Sequence, residues 1–202
     1  MSIYLLIGTA LWLYVLSVLK RARLSAFYFI VGSAGFFLVL MSLADPYWVW
    51  LFTHAVIHGV NLIAGDILGW VQITMRTGMV YIKNPTNVVQ MSIDFECSGI
   101  IESMALIALI SFFPTYARKE KVFYGIFGMV YIYLANIIRL LTVIAIVHFG
   151  GGSTYYIAHA IIGRLVFYVL VIALYYNVFT YSQLARGIYR DLVDRRLEKK
   201  ES

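Results

Sequence analysis

Five apolar runs, residues 3–19, 24–43, 98–113, 122–147 and 157–181, each approach the length of a membrane-crossing helix. A hydrocarbon core about 30 Å thick takes about 20 helical residues at about 1.5 Å each. With 62% hydrophobic and 13% charged residues, the composition excludes an ordinary soluble domain. It predicts an all-α polytopic membrane protein with about five transmembrane helices.

Charge sets the expected direction of each crossing. The net charge of +6 is gathered in three clusters: Lys20-Arg21-Ala22-Arg23, Arg118-Lys119-Glu120-Lys121, and the tail from residue 186 to 200. Such clusters beside apolar runs read as cytoplasmic loops, not as a nucleic-acid patch. Residues 3–19 carry their basic cluster after the run, so they read as a retained span and not a cleaved leader. The expected location is the cell membrane, multi-pass, with the C-terminus cytoplasmic. Residues 1–185 form one transmembrane domain and 186–202 a charged tail. No nucleic-acid partner, cofactor or metal is expected.

Two stretches do not fit a plain crossing. Residues 47–71 are rich in Trp and aliphatics but carry His54, His58, Asn61 and Asp66. A full crossing there would invert every later segment and put Arg118, Lys119 and Lys121 outside, against the charge rule. An interfacial helix on the outer face is expected, with Trp48, Trp50 and Trp70 near the headgroups. Residues 71–93 hold three β-rich runs separated by Thr77-Gly78 and by Asn84-Pro85-Thr86-Asn87, and predict a small external β-hairpin.

The single cysteine lies in Asp94-Phe95-Glu96-Cys97-Ser98-Gly99, at the mouth of an apolar run. Counted up from the basic residues by helical rise, Cys97, Arg139 and His159 reach one depth at the outer edge of the bilayer. Asn136 sits one turn before Arg139 on the same face and is placed to orient it. A buried arginine needs a partner, so Glu102 is expected to pair with Arg139 or Arg164, and Glu96 is a further candidate. A thiolate, an imidazole and a guanidinium together suit acyl transfer through a covalent thioester. On spacing alone, the same three residues serve equally as packing, snorkelling and interface groups.

Glu96-Cys97-Ser98-Gly99-Ile100, then Asn136-x-x-Arg139, then Ala158-His159, each in a successive membrane helix, resemble the exosortase/archaeosortase family. The resemblance covers roughly residues 94–176, and the small size looks most like the Gram-positive exosortase G subgroup. It implies a membrane-embedded cysteine protease or transpeptidase with its active site facing outside. Such enzymes recognise a C-terminal sorting signal: a short motif, a transmembrane helix and a basic cluster. They cleave at the motif and pass the acyl group to a surface glycan or lipid acceptor. By that resemblance Cys97 is the nucleophile, Arg139 stabilises the oxyanion or orients the peptide, and His159 is the general base and acid. Asn136, Glu102, Arg164 and Glu96 would support them, and residues 1–185 would be the catalytic domain. The rival readings are a non-enzymatic scaffold or export factor for surface assembly, and a small transporter.

Overall fold

The computed structural model describes residues 3–44, 47–84, 87–93 and 95–181. The expected tail, 186–202, lies outside the described residues. Six helices and a small sheet follow in order: α1 (Ile3–Arg21), α2 (Ser25–Ala44), α3 (Tyr47–Val60), β1 (Val71–Thr74), β2 (Met79–Lys83), β3 (Val88–Ser92), α4 (Ile100–Phe112), α5 (Arg118–Gly150) and α6 (Gly152–Thr180). α3 continues into a π-helical turn at Asn61–Ile67. The chain is a polytopic membrane protein, predominantly helical.

Close packing follows from small residues under large rings. α2 and α4 run antiparallel, with Gly32 against the Phe112 ring and Ala44 beside Ile100. α4 and α5 are also antiparallel, and Gly128 receives the Leu106 side chain. A Cβ at either glycine would overlap its neighbour, so these helices could not approach as they do. Phe112 packs edge-on against Trp12 and tilts against Tyr28, while Phe113 meets Phe29. These contacts bring the α1–α2 turn and the α4–α5 loop to one end. Lys20, Arg21, Arg23, Arg118, Lys119 and Lys121 therefore collect there; we call it the basic end. The Glu120 carboxylate accepts from the Ala117 amide at 2.8 Å and caps the first turn of α5. α1 buries only Leu16 among its described residues, which leaves an apolar cylinder suited to lipid.

The opposite end carries the sheet. Five helices are long and apolar enough to cross a membrane: α1, α2, the 47–67 segment, α5 and α6. The number matches the expectation but the membership does not. α4 is a short apolar helix of 13 residues, about 20 Å. It was expected to begin at Ser98, but Gly99 adopts the left-handed conformation (φ 73°) and stops the helix before Cys97.

The 47–67 segment is long enough to span, yet its contacts place it at the sheet end. Val49 and Phe52 lie with Ala44, Ile100 and Phe95. Farther along, the Tyr133 hydroxyl donates to the Ala55 carbonyl at 3.1 Å, and Trp70 stacks on His148 at 5.0 Å. The segment thus starts where α2 ends and climbs beside the second half of α5. Trp48 and Trp50 are exposed, while Trp70 is packed.

In place of a hairpin the sheet has three antiparallel strands in the order β1-β2-β3. Val71 faces Ile82, Ile73 faces Val80, and Val80 in turn faces Met91. The third strand is recruited because Val89 and Met91 extend the same apolar face at period two. The first turn needs Gly78 (φ 67°), where a Cβ would come 2.7 Å from the Ile93 carbonyl oxygen. The inner face covers Val56, Ile57 and Val60 of α3, Ala64 of the π-helical turn after it, and Ile137, Leu140, Val143, Ile144 and Val147 of α5, a core that also holds Cys97.

Candidate active site

Cys97 closes a 3-10 turn, Phe95–Cys97, that links the sheet to α4. The Ser98 hydroxyl donates back to the Phe95 carbonyl at 2.7 Å and accepts from the Ile100 amide at 3.3 Å. Asn136 Nδ2 donates to the Cys97 carbonyl and ties the turn to α5. A carbonyl needs a donor, so this bond also fixes which way the Asn136 amide faces. Its Oδ1 is buried with no hydrogen bond among the described residues.

One turn beyond, Arg139 extends along the same face and donates Nη2 to Cys97 Sγ at 3.8 Å. Its guanidinium lies 5.6 Å over the Phe167 ring, a cation–π contact that offsets part of its burial. Arg139 is 7% exposed and Cys97 is 4% exposed, so the charge acts on the sulfur with little solvent between them. A cation so placed favours the thiolate over the thiol.

His159 arrives on α6 within a π-helical turn, Ala158–Ile162. Such turns shift the register of side chains on a helix face and occur often at functional sites. The imidazole stacks on Tyr155 at 5.5 Å with ring planes 10° apart. Gly163 permits the approach of α6 to α5: a Cβ there would come 2.7 Å from Val143 Cγ2.

Cys97, Arg139 and His159 line one cavity of about 510 Å³. Glu102, Arg164, Ser92, Phe95, Ile101, Tyr155, Phe167 and Tyr168 complete its wall. The expected ion pairs are not there. Glu102 makes no salt bridge to Arg139 or Arg164 among the described residues, although all three face the cavity. Gly99 breaks the helix between Cys97 and Glu102, so α-helical spacing does not relate the two side chains. The Glu96 side chain lies outside the described residues. The residues missed in the sequence are mostly aromatic. Tyr155 is one turn before His159 and Tyr168 one turn after Arg164, a spacing that could have pointed to both.

The histidines of α3 are elsewhere. His54 Nδ1 hydrogen-bonds the Trp50 carbonyl at 2.9 Å, and Asn61 donates to the Asp66 carboxylate at 3.3 Å. Among the described residues no group of three His, Cys, Asp or Glu could hold a metal ion.

The match of this chain to known proteins is to a family and not to an individual. The family described as transmembrane exosortase (Exosortase_EpsH) matches residues 1–176, which reaches well beyond the 94–176 stretch that carries the motifs. It assigns no subgroup, exosortase G included. No curated protein and no solved structure is similar enough to match. Given that coverage, and the membrane-length helices around the cavity, the chain belongs to the transmembrane exosortase family.

Proposed function

We propose that this protein is a membrane cysteine transpeptidase that cleaves the C-terminal sorting signal of exported proteins and passes the acyl group to a surface acceptor. The observation that carries this reading is the 3.8 Å contact between Arg139 Nη2 and Cys97 Sγ in a cavity shared with His159. Cys97 thiolate attacks the carbonyl carbon of the scissile peptide bond, and the electron pair of that C=O moves to oxygen. Arg139, released from the sulfur as its charge is spent, is within reach of the new oxyanion. Collapse expels the amine, which takes a proton from His159 and leaves with the transmembrane helix. An acceptor hydroxyl or amine, from a glycan or lipid, then gives its proton to His159 and displaces Cys97 from the thioester.

The position of the cavity fits such a substrate. It lies toward the sheet end, away from the basic residues, which the positive-inside rule assigns to the cytoplasm. The active site would then face outside, at the depth where a membrane-anchored signal presents its motif. Confinement to one bilayer raises the effective concentration of a weakly held peptide. A transporter would need polar groups down to the basic end. Below Arg139 and Arg164 the neighbouring positions on α5 and α6 are almost wholly apolar.

The test is co-expression of Cys97→Ala with a tagged protein that ends in a short motif, an apolar helix and a basic tail. Processing is expected with the wild type and absent with the variant. Undiminished processing in Cys97→Ala would return the protein to the scaffold or export-factor class.

A further inference from the structure

A cavity of about 610 Å³ opens at the basic end, between α1, α2 and α4 and away from Cys97. Phe112 is the centre of its wall, its ring packed on Trp12, Tyr28 and Phe36 with centroids 5.6 to 6.1 Å apart. These walls are fixed in place. Trp12 Nε1 donates to the Val31 carbonyl at 2.9 Å, and the indole lies over Gly35, where a Cβ would overlap it. The space between the rings is therefore a built hollow, unlike the convex apolar face of α1.

The two ends of the hollow differ in chemistry. Its basic end carries Lys121 and Ser25; from there Tyr28, Phe36 and Val39 follow α2 for fourteen positions, about 21 Å. Half of a hydrocarbon core is about 15 Å, so the hollow spans a headgroup level and one leaflet. Past Trp12 and Val39 a further cavity of about 360 Å³, along Leu5, Gly8, Leu38 and Ser42, has no charged lining residue among those described. An amphiphile thus fits with its charged end at Lys121 and its apolar end toward Trp12.

The sign of that charge is set as well. Lys121 reaches from the first turn of α5 to the last turn of α4 and donates Nζ to the Ser111 carbonyl at 2.6 Å. An ammonium has three donors, so two are left for a ligand. Lys20, Arg21, Arg23, Arg118 and Lys119 gather at the same end, and the Glu120 carboxylate among them is engaged by the Ala117 amide. No acidic residue lines the cavity among those described.

We propose that this hollow binds one anionic phospholipid from the leaflet at the basic end, the cytoplasmic leaflet by the positive-inside rule. Its phosphate sits at Lys121 and Ser25, and one acyl chain lies along Tyr28, Phe36 and Val39. A zwitterionic lipid offers the same chain without the net negative charge that a basic cluster attracts. α1 buries only Leu16 among its described residues, so a lipid touching α1, α2 and α4 together supplies packing that α1 otherwise lacks.

Native mass spectrometry from a neutral detergent counts bound lipid by mass. With phosphatidylglycerol and phosphatidylcholine of identical chains supplied equally, the wild type is expected to retain one phosphatidylglycerol. Lys121→Gln should retain it about fivefold less, the effect of one basic side chain near an anionic headgroup. Lys121→Arg should keep it, and Lys119→Gln, outside the cavity, should bind as the wild type does. Melting in the same detergent separates the lipid from the helix cap. Loss of the Ser111 contact lowers the lipid-free melting temperature of Lys121→Gln, whereas only lipid binding adds a rise with phosphatidylglycerol. The proposal is overturned by equal retention of the two lipids in the wild type or by undiminished retention in Lys121→Gln. It is equally overturned if Lys119→Gln loses as much as Lys121→Gln, which would mean diffuse surface charge. Competition by glycerophosphoglycerol, the headgroup without chains, as strong as by the whole lipid would reduce the site to an anion site and overturn it too. The lipid comparison and the headgroup competition use the wild type alone, so they decide the matter even if Lys121→Gln fails to fold.

Discussion

Asn136 donates its side-chain amide to the backbone carbonyl of Cys97, so the helix that carries the arginine also holds the turn that carries the thiol. One turn of α5 thereby sets both partners of the Cys97–Arg139 contact. Asn136 is fully buried, and its role in the turn cannot be taken over by water.

Asn136→Ala leaves the Cys97 carbonyl without that donor in a buried place. The expected loss is about 1–3 kcal/mol of stability, the usual cost of an unsatisfied buried polar group. Thermal unfolding in detergent measures it. Labelling of Cys97 should also become less dependent on Arg139, because the sulfur is no longer held against it. If Asn136→Ala lowers the melting temperature but leaves the labelling profile as it was, Asn136 is structural only.

Arg139→Gln removes the cation that favours the Cys97 thiolate. Maleimides react with the thiolate, so the labelling rate rises with pH through the thiol's titration. Without the cation the charged form is less favoured, and the midpoint should move to higher pH. Arg139→Lys should move it less, since the charge remains but the fork geometry is lost. An unmoved midpoint in Arg139→Gln would show that the 3.8 Å contact does not govern reactivity.

Gly163→Ala tests whether the approach of α6 sets the histidine. The new methyl would meet Val143 Cγ2 at 2.7 Å and the Ala158 carbonyl oxygen at 3.1 Å. Overpacking of this kind costs about 1–3 kcal/mol. Because His159 lies four residues earlier in the same helix, processing should fall more than stability does. Val143→Ala in the same chain relieves the nearer clash and should restore part of both. No recovery in the double variant would place the fault in the backbone contact with Ala158.

Gly99→Ala asks what the left-handed residue contributes. A φ of 73° costs a side chain about 1–2 kcal/mol. The added Cβ would lie 3.3 Å from Ile132 Cγ2. A straightened turn carries Cys97 into the line of α4 and off Arg139. Lower thermal stability together with a higher labelling midpoint is the expected pair of results; stability loss alone would mean the turn re-forms.

Glu102→Gln distinguishes the structure from the sequence expectation. A carboxylate paired with a buried arginine would be missed by several kcal/mol on removal. Glu102 has no salt bridge to Arg139 or Arg164 among the described residues, so the melting temperature should hardly change, within about 0.5 kcal/mol. A large loss would show that the pair closes in the membrane.

The membrane class, the basic end and the meeting of Cys97, Arg139 and His159 at one cavity were legible in the sequence. Apolar run length answers directly to bilayer thickness, and basic clusters answer to the charge rule. Helical rise was enough to bring Cys97, Arg139 and His159 to one depth, because depth along a straight helix is linear in residue number. Azimuth is not, and it failed wherever the backbone left the α-helix. Gly99 ended α4 before Cys97, and the π-turn at Ala158–Ile162 interrupts the α-helical register of α6, so helical spacing could not relate Glu102 to Cys97 or Arg164 to His159. The strand pairing of Val88–Ser92, the course of the 47–67 segment along α5 and the aromatic wall of the cavity likewise depend on which surfaces meet. Those meetings are set by contacts between residues far apart in the chain, such as Tyr133 with Ala55 and Arg139 with Phe167. Local pattern carries length and polarity; only the folded chain decides who faces whom.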